Sequence, residues 1–330
     1  MPCGYHTLLL SNEGLLAFGG KPGLFPSDEK MPDVPHQVPW VGPPLVKVDW
    51  GQFHSLALDS KGGVWEAGTS GVPNREFTSN FRLVEGLPEI TQIAAGHDHS
   101  AAIDNEGCLW VWWGKPDHQR VIPKQIPFPS KISKAACGWG KLILECEDGT
   151  LWIYHPFGET MTTPIFAKDL SSGPLRSLCI LLYDAVFVDA EGSVFLCRIF
   201  NDRCTSFTFR KLEIPPVVEA SSGFWEFLLL DEKRQLWKHK RYPGEVGETS
   251  LWLEEVSSFV SGGRHFMAHL LDGRTMMFGD NSWGQFGPGS PSGYHNVPIL
   301  CPYQIAFSSR QKSARFVSDQ SDRESLPASS

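Results

Sequence analysis

Short apolar runs broken by glycine-marked turns recur along the whole chain. Leu8-Leu9-Leu10, Leu56-Ala57-Leu58, Val186-Phe187-Val188 and Leu228-Leu229-Leu230 each lead into such a turn. A second short segment follows it, with a large aromatic at a constant offset: Trp65, Trp110, Trp152, Phe195 and Trp237. Two apolar segments around a glycine turn predict a β-hairpin. Another extended segment precedes each hairpin, as in Val46-Lys47-Val48, Gln92-Ile93-Ala94-Ala95 and Val217-Val218-Glu219-Ala220. Proline-rich links at 35–44 and 123–129 separate the units. About four strands per unit are expected, and no stretch of ten or more residues has helical periodicity.

One register orders these units. The anchors are His6, His54, His99, Lys141, Asp184, Glu226 and His265, spaced 39 to 48 residues apart. Eight residues after each anchor stands a glycine (Gly14, Gly62, Gly107, Gly149, Gly192, Gly273), except in the sixth repeat, which has Arg234. A glycine at a fixed place argues for a turn residue with positive φ. Asp59, Asp104, Asp189 and Asp231 open four of the turns, as Asp often does. The recurring aromatic is assigned to packing between neighbouring units. Seven such units predict an all-β, seven-bladed propeller over residues 1–307. Tyr303-Gln304-Ile305-Ala306-Phe307 resembles the segment missing ahead of His6, so N- and C-terminal strands are expected to close the ring. Residues 308–330 are expected to be a disordered tail, being rich in Ser and charge with only isolated apolar residues.

Composition narrows the chemistry. The 330 residues are 41% hydrophobic and 20% charged, with a formal net charge of -8. The apolar fraction suffices for a sizeable core. The acidic balance, without a long Lys/Arg run, argues against nucleic acid and anionic membranes as partners. The densest basic cluster, Arg234, Lys238, Lys240 and Arg241, reads as a solvated hairpin edge. The eight cysteines form no C-x-x-C pair, so the usual zinc and thioredoxin spacings are missing. They read as reduced thiols of a cytoplasmic or nuclear protein. No signal peptide and no apolar run long enough to span a bilayer are evident.

Motifs for covalent chemistry are missing too: there is no Walker loop, G-x-S-x-G elbow or H-E-x-x-H helix. No catalytic residue, cofactor or metal is therefore assigned. His6, His54, His99 and His265 occupy equivalent places on different units, which favours imidazoles tying loops to backbone over a shared metal or a catalytic base. The candidates for partner contact are His97 and Asp98 beside His99, the anchor acids Asp184 and Glu226, and Trp283. For the two acids, replacement of a structural histidine is the competing explanation.

Gly51-Gln52-Phe53-His54-Ser55-Leu56-Ala57-Leu58 resembles the repeat of the RCC1 (regulator of chromosome condensation) family, roughly G-x-x-H-[ST]-x-x-L. Gly96-His97-Asp98-His99-Ser100 and Gly262-Gly263-Arg264-His265 repeat it, and Gly279-Asp280-Asn281-Ser282-Trp283-Gly284-Gln285-Phe286-Gly287 looks like the family's G-x-N-x-x-G-Q-L-G loop. Repeats four to six have lost the histidine and that loop. The resemblance implies a monomeric propeller with a protein partner: a non-catalytic recognition scaffold, as within ubiquitin-ligase or chromatin assemblies, or alternatively a guanine-nucleotide exchange factor for a small GTPase.

Overall fold

The computed structural model describes residues 7–11, 14–18, 36–51, 54–68, 81–97, 99–113, 122–156, 160–161, 173–181, 184–199, 209–223, 226–240, 247–282, 284–287, 290–301, 304–307 and 314–317. Among them every regular element is a strand. Six sheets of four consecutive antiparallel strands span 45–83, 90–126, 132–161, 177–211, 217–253 and 256–300. We refer to each blade by its anchor: His54, His99, Lys141, Asp184, Glu226 or His265. The first strands of successive blades lie side by side around a common axis, from Leu45–Trp50 through Ile90–Ala95, Ile132–Cys137, Ser177–Leu181 and Val217–Ser222 to Val256–Ser261.

The propeller has six blades, not the seven that the register predicts. The first repeat forms a three-stranded sheet, Thr7–Ser11, Gly14–Phe18 and His36–Gln37. The strand expected to complete it does not. Gln304–Phe307 pairs with Ala314–Val317 instead, in a separate two-stranded sheet with Ile305 opposite Phe316. A hairpin closes a short loop, whereas the expected pairing joins strands almost a whole chain apart and costs more loop-closure entropy. Ala314–Val317 lies beside Thr7–Ser11 without entering its sheet. Of the stretch 308–330, residues 308–313 and 318–330 lie outside the described residues, as does His6.

The three-stranded sheet fills the gap between the two ends of the blade series. Leu15, Ala17 and Val38 pack with Val48, Ala57, Ala67 and Phe81 of the His54 blade. On the other side Leu16 packs with Met267, Met277 and Phe286 of the His265 blade. The other apolar clusters obey the same rule, each lying between two neighbouring blades. Every second residue of a strand faces one neighbour and the alternate residues face the other. That is why the middle strands, such as His54–Asp59 and Glu226–Asp231, are buried along their whole length.

The turns take the predicted form. Gly62, Gly107, Gly149, Gly192 and Gly273 have φ of 79° to 89°, and Arg234 in the equivalent place has φ of 64°. The turn aspartate links this geometry to the recurring tryptophan. Asp104 Oδ1 accepts the amides of Glu106 (2.9 Å) and Cys108 (2.8 Å), while Oδ2 accepts the Trp110 indole N–H (2.9 Å). Asp59 with Trp65 and Asp231 with Trp237 repeat the arrangement. Burial pushes the Asp59 and Asp104 carboxyls up, but these hydrogen bonds outweigh it and hold both below the usual carboxylate range. The half-buried indoles also lean on the inter-blade clusters, so one residue serves the turn and the seam.

Candidate functional site

The first strand of each blade is a sheet edge, with backbone groups that its own blade leaves unpaired. Side chains of the neighbouring inner strand supply partners. Lys47 Nζ donates to the Ile93 carbonyl (3.0 Å), and Asp49 accepts the Ala95 amide (3.1 Å). Further round, Gln92 donates to the Ser133 carbonyl (2.7 Å), Cys137 Sγ to Ala94 (3.3 Å), Ser222 to Ile180 (3.0 Å) and Ser261 to Ser222 (3.1 Å). These ties leave room inside the ring. Five of the inner strands line an open cavity of about 290 Å³, walled mainly by small residues such as Ala94, Ala135, Cys137, Ala220 and Ser221.

The two thiols of the cavity lining are held in their protonated form. Burial drives the Cys137 thiol well up, with Asp49 adding to the effect and Lys47 opposing it, and burial alone takes Cys179 to about 12. Both are protonated thiols near neutrality, and the thiolate is the reactive form.

At one end the cavity is ringed by the loops that precede the anchors. The amides of Gly51, Gly96, Gly138, Gly223 and Gly262 each donate to the carbonyl of the anchor three residues on. Glycine is required where these loops stack: a Cβ on Gly51 would overlap the Gly96 carbonyl of the next blade. The anchor histidines then bridge blades. His54 Nε2 lies 2.8 Å from Ser100 Oγ, and His265 Nε2 lies 2.6 Å from Thr7 Oγ1. The Thr7 hydroxyl has one proton, which it donates to the Gln285 carbonyl (2.8 Å). His265 Nε2 must therefore be the donor to Thr7. This bond joins the last blade to the N-terminal sheet, so the ring closes through the repeat's own histidine rather than through an exchanged strand. His54, His99 and His265 are buried on separate blades, and the described residues contain no group of potential metal ligands.

At Asp184 and Glu226, two of the anchors that are not histidine, an ion pair takes its place. Asp184 is 7% exposed and lies 3.5 Å from Arg198 Nε. Glu226 is 6% exposed and lies 3.9 Å from Lys238 Nζ, which also sits 3.8 Å above the Trp252 ring. Burial raises the Glu226 pKa against the pull of Lys238 and Lys240, and burial lowers that of Lys238 against the pull of Glu226. Both acids thus face internal cations.

Of the proposed contacts among the described residues, His97 alone lines the cavity. Its ring stacks on Trp139 of the next loop, with centroids 4.7 Å apart and planes at 11°. Trp139 is 48% exposed. Trp139 was missed by the motif reading, although the register places Gly138-Trp139 opposite Gly96-His97. Asp98 and Trp283 lie outside the described residues. The rest of the Trp283 loop is folded inward. Asn281 Oδ1 accepts the Phe286 amide (2.8 Å), Asn281 Nδ2 donates to the Pro291 carbonyl (2.7 Å), and Phe286 is fully buried.

Residues 90–112, the first three strands of the His99 blade, match the regulator of chromosome condensation (RCC1) repeat. Over most of its length the chain is similar to proteins with RCC1 repeats. It is similar to the human E3 ubiquitin-protein ligase HERC2, at 25% identity over 278 residues, covering 78% of this chain and 5% of the relative. It is similar also to the human regulator of chromosome condensation, at 22% identity over 287 residues, covering 80% of this chain and 67% of that protein. The crystal structure of human WBSCR16 superposes with a TM-score of 0.65 at 16% identity, covering 84% of this chain and 86% of that one. This likeness extends to the fold. The matched repeat runs from the inner strand to the buried Trp112. The RCC1-like anchors of the Lys141, Asp184 and Glu226 blades survive as charged residues instead.

Proposed function

We infer that this RCC1-like propeller is a recognition module that binds another protein at the mouth of its cavity and makes no covalent bond in doing so. The observation that carries this reading is the exposed Trp139, held in place by His97. An indole left half in solvent yet fixed by its neighbour suits a binding anchor, because ordering it on binding costs little entropy. The resemblance to RCC1 repeats supports a protein as the partner. The chain spans 5% of the length of HERC2, and we carry none of the ligase's activity over.

The alternative within the same resemblance is nucleotide exchange on a small GTPase. Such a factor binds the nucleotide-free GTPase more tightly, so nucleotide leaves faster by linkage. Two measurements separate the readings. Stable binding of a purified partner that is lost in Trp139→Ala, at an unchanged unfolding midpoint, supports recognition at the cavity mouth; binding indifferent to that substitution refutes it. Accelerated release of labelled nucleotide from a panel of small GTPases would replace the scaffold reading with exchange.

A further inference from the structure

The cavity mouth carries more specific chemistry than an exposed indole. His97 covers one face of Trp139 in a near-parallel stack, and Trp139 remains 48% exposed. Among the other lining residues, the Lys and Asp side chains come from a single strand, Leu45–Trp50. Lys47 and Asp49 are two residues apart and project to the same side. Lys47 is turned to the Ile93 carbonyl of the next blade. The Asp49 carboxylate is oriented by the amides of Trp50 (3.0 Å) and Ala95 (3.1 Å). The lining from the other inner strands carries no Lys, Arg, Asp or Glu and includes Ala136, Cys137, Ile180 and Ser221. A cavity of about 290 Å³ is at the small end for a ligand pocket, and matches a single long side chain better than a folded segment.

Tryptophan is the aromatic that attracts cations most strongly, and a planar guanidinium stacks on it as an ammonium cannot. A carboxylate already fixed by two backbone amides accepts a charged donor with little reorganisation. The net charge of -8 favours approach of a cationic partner. Resting on the reading of this face as the recognition surface, we propose that the mouth takes the guanidinium of an arginine from the partner protein, stacked on Trp139 and directed at Asp49. His97 positions the indole.

The test uses the full chain labelled with 5-fluorotryptophan, with the Trp139 resonance identified by its loss in Trp139→Phe. The probe is the capped peptide Gly-Gly-Arg-Gly-Gly, and the control carries citrulline in place of arginine, which keeps the shape and loses the charge. The arginine peptide should shift the Trp139 resonance saturably. Affinity should fall roughly fivefold or more with citrulline, and by a similar factor in Asp49→Asn. The citrulline arm uses the unaltered chain, so it stands even if Asp49→Asn folds poorly. An unmoved Trp139 resonance, or equal binding of the two peptides, overturns the proposal. If Trp139→Ala abolishes binding of a purified partner while the arginine peptide leaves the resonance unmoved, the arginine inference falls and the recognition reading stands.

Discussion

Replacing Thr7 by valine tests how the ring closes. Thr7 is fully buried, and its hydroxyl accepts from His265 Nε2 (2.6 Å) and donates to the Gln285 carbonyl (2.8 Å). Valine keeps the shape, so no cavity opens. It leaves two buried polar groups without this partner, at about 1–3 kcal/mol each, giving roughly 2–6 kcal/mol in all. Thr7→Ser retains the hydroxyl and should cost under about 1 kcal/mol. Ser100→Ala removes the equivalent bond from His54 inside the blade series. It should cost roughly 1–2 kcal/mol, less than Thr7→Val, because it deprives one known partner rather than two. The assay is equilibrium urea unfolding of the full chain, read by tryptophan fluorescence. Hydrogen exchange on Thr7–Ser11 and Gly14–Phe18 runs alongside it, because repeat arrays can lose two-state behaviour and open at one seam first. Thr7→Val should release those amides before the six blades melt. Wild-type stability for Thr7→Val, or equal damage from Thr7→Ser, would refute closure through this hydroxyl.

Four further outcomes are expected. Asp104→Ala removes three hydrogen bonds from one turn and should destabilise the fold by about 2–3 kcal/mol, measured by urea unfolding. Asp59 and Asp104 have folded pKa values below their ordinary 3.8. Their stabilisation is complete above the unfolded value and is lost as pH falls through the folded one, so the unfolding midpoint should drop on acidification below about pH 4, and drop less in Asp104→Ala. Arg234→Gly relieves a φ of 64° but gives up the guanidinium bond to the Ser257 carbonyl. A gain of about 0.5–1 kcal/mol is expected, and a loss would show that the side chain outweighs the backbone strain. Trp110→Ala and Trp152→Ala should each cost about 3–5 kcal/mol; unchanged melting temperatures would contradict the seam role of these indoles.

The turns and hairpins were legible in the sequence because their causes are local. A positive φ needs glycine, and the exception at Arg234 kept the geometry because its neighbours hold the turn in place. The Asp–Trp pair is local as well, six residues apart, and the constant offset of Trp65, Trp110 and Trp237 is its trace. Blade count and closure are long-range properties. The spacing of anchors counts repeats, yet whether a repeat receives a fourth strand depends on competition between pairings distant in sequence. The local hairpin of Gln304–Phe307 with Ala314–Val317 won that competition. The roles of Asp184 and Glu226 needed the fold too, since their cations, Arg198 and Lys238, lie across a hairpin. The cavity site was the least legible part. Asp49, His97 and Trp139 come from three different blades, and only the stacking of inner strands around one axis brings them together.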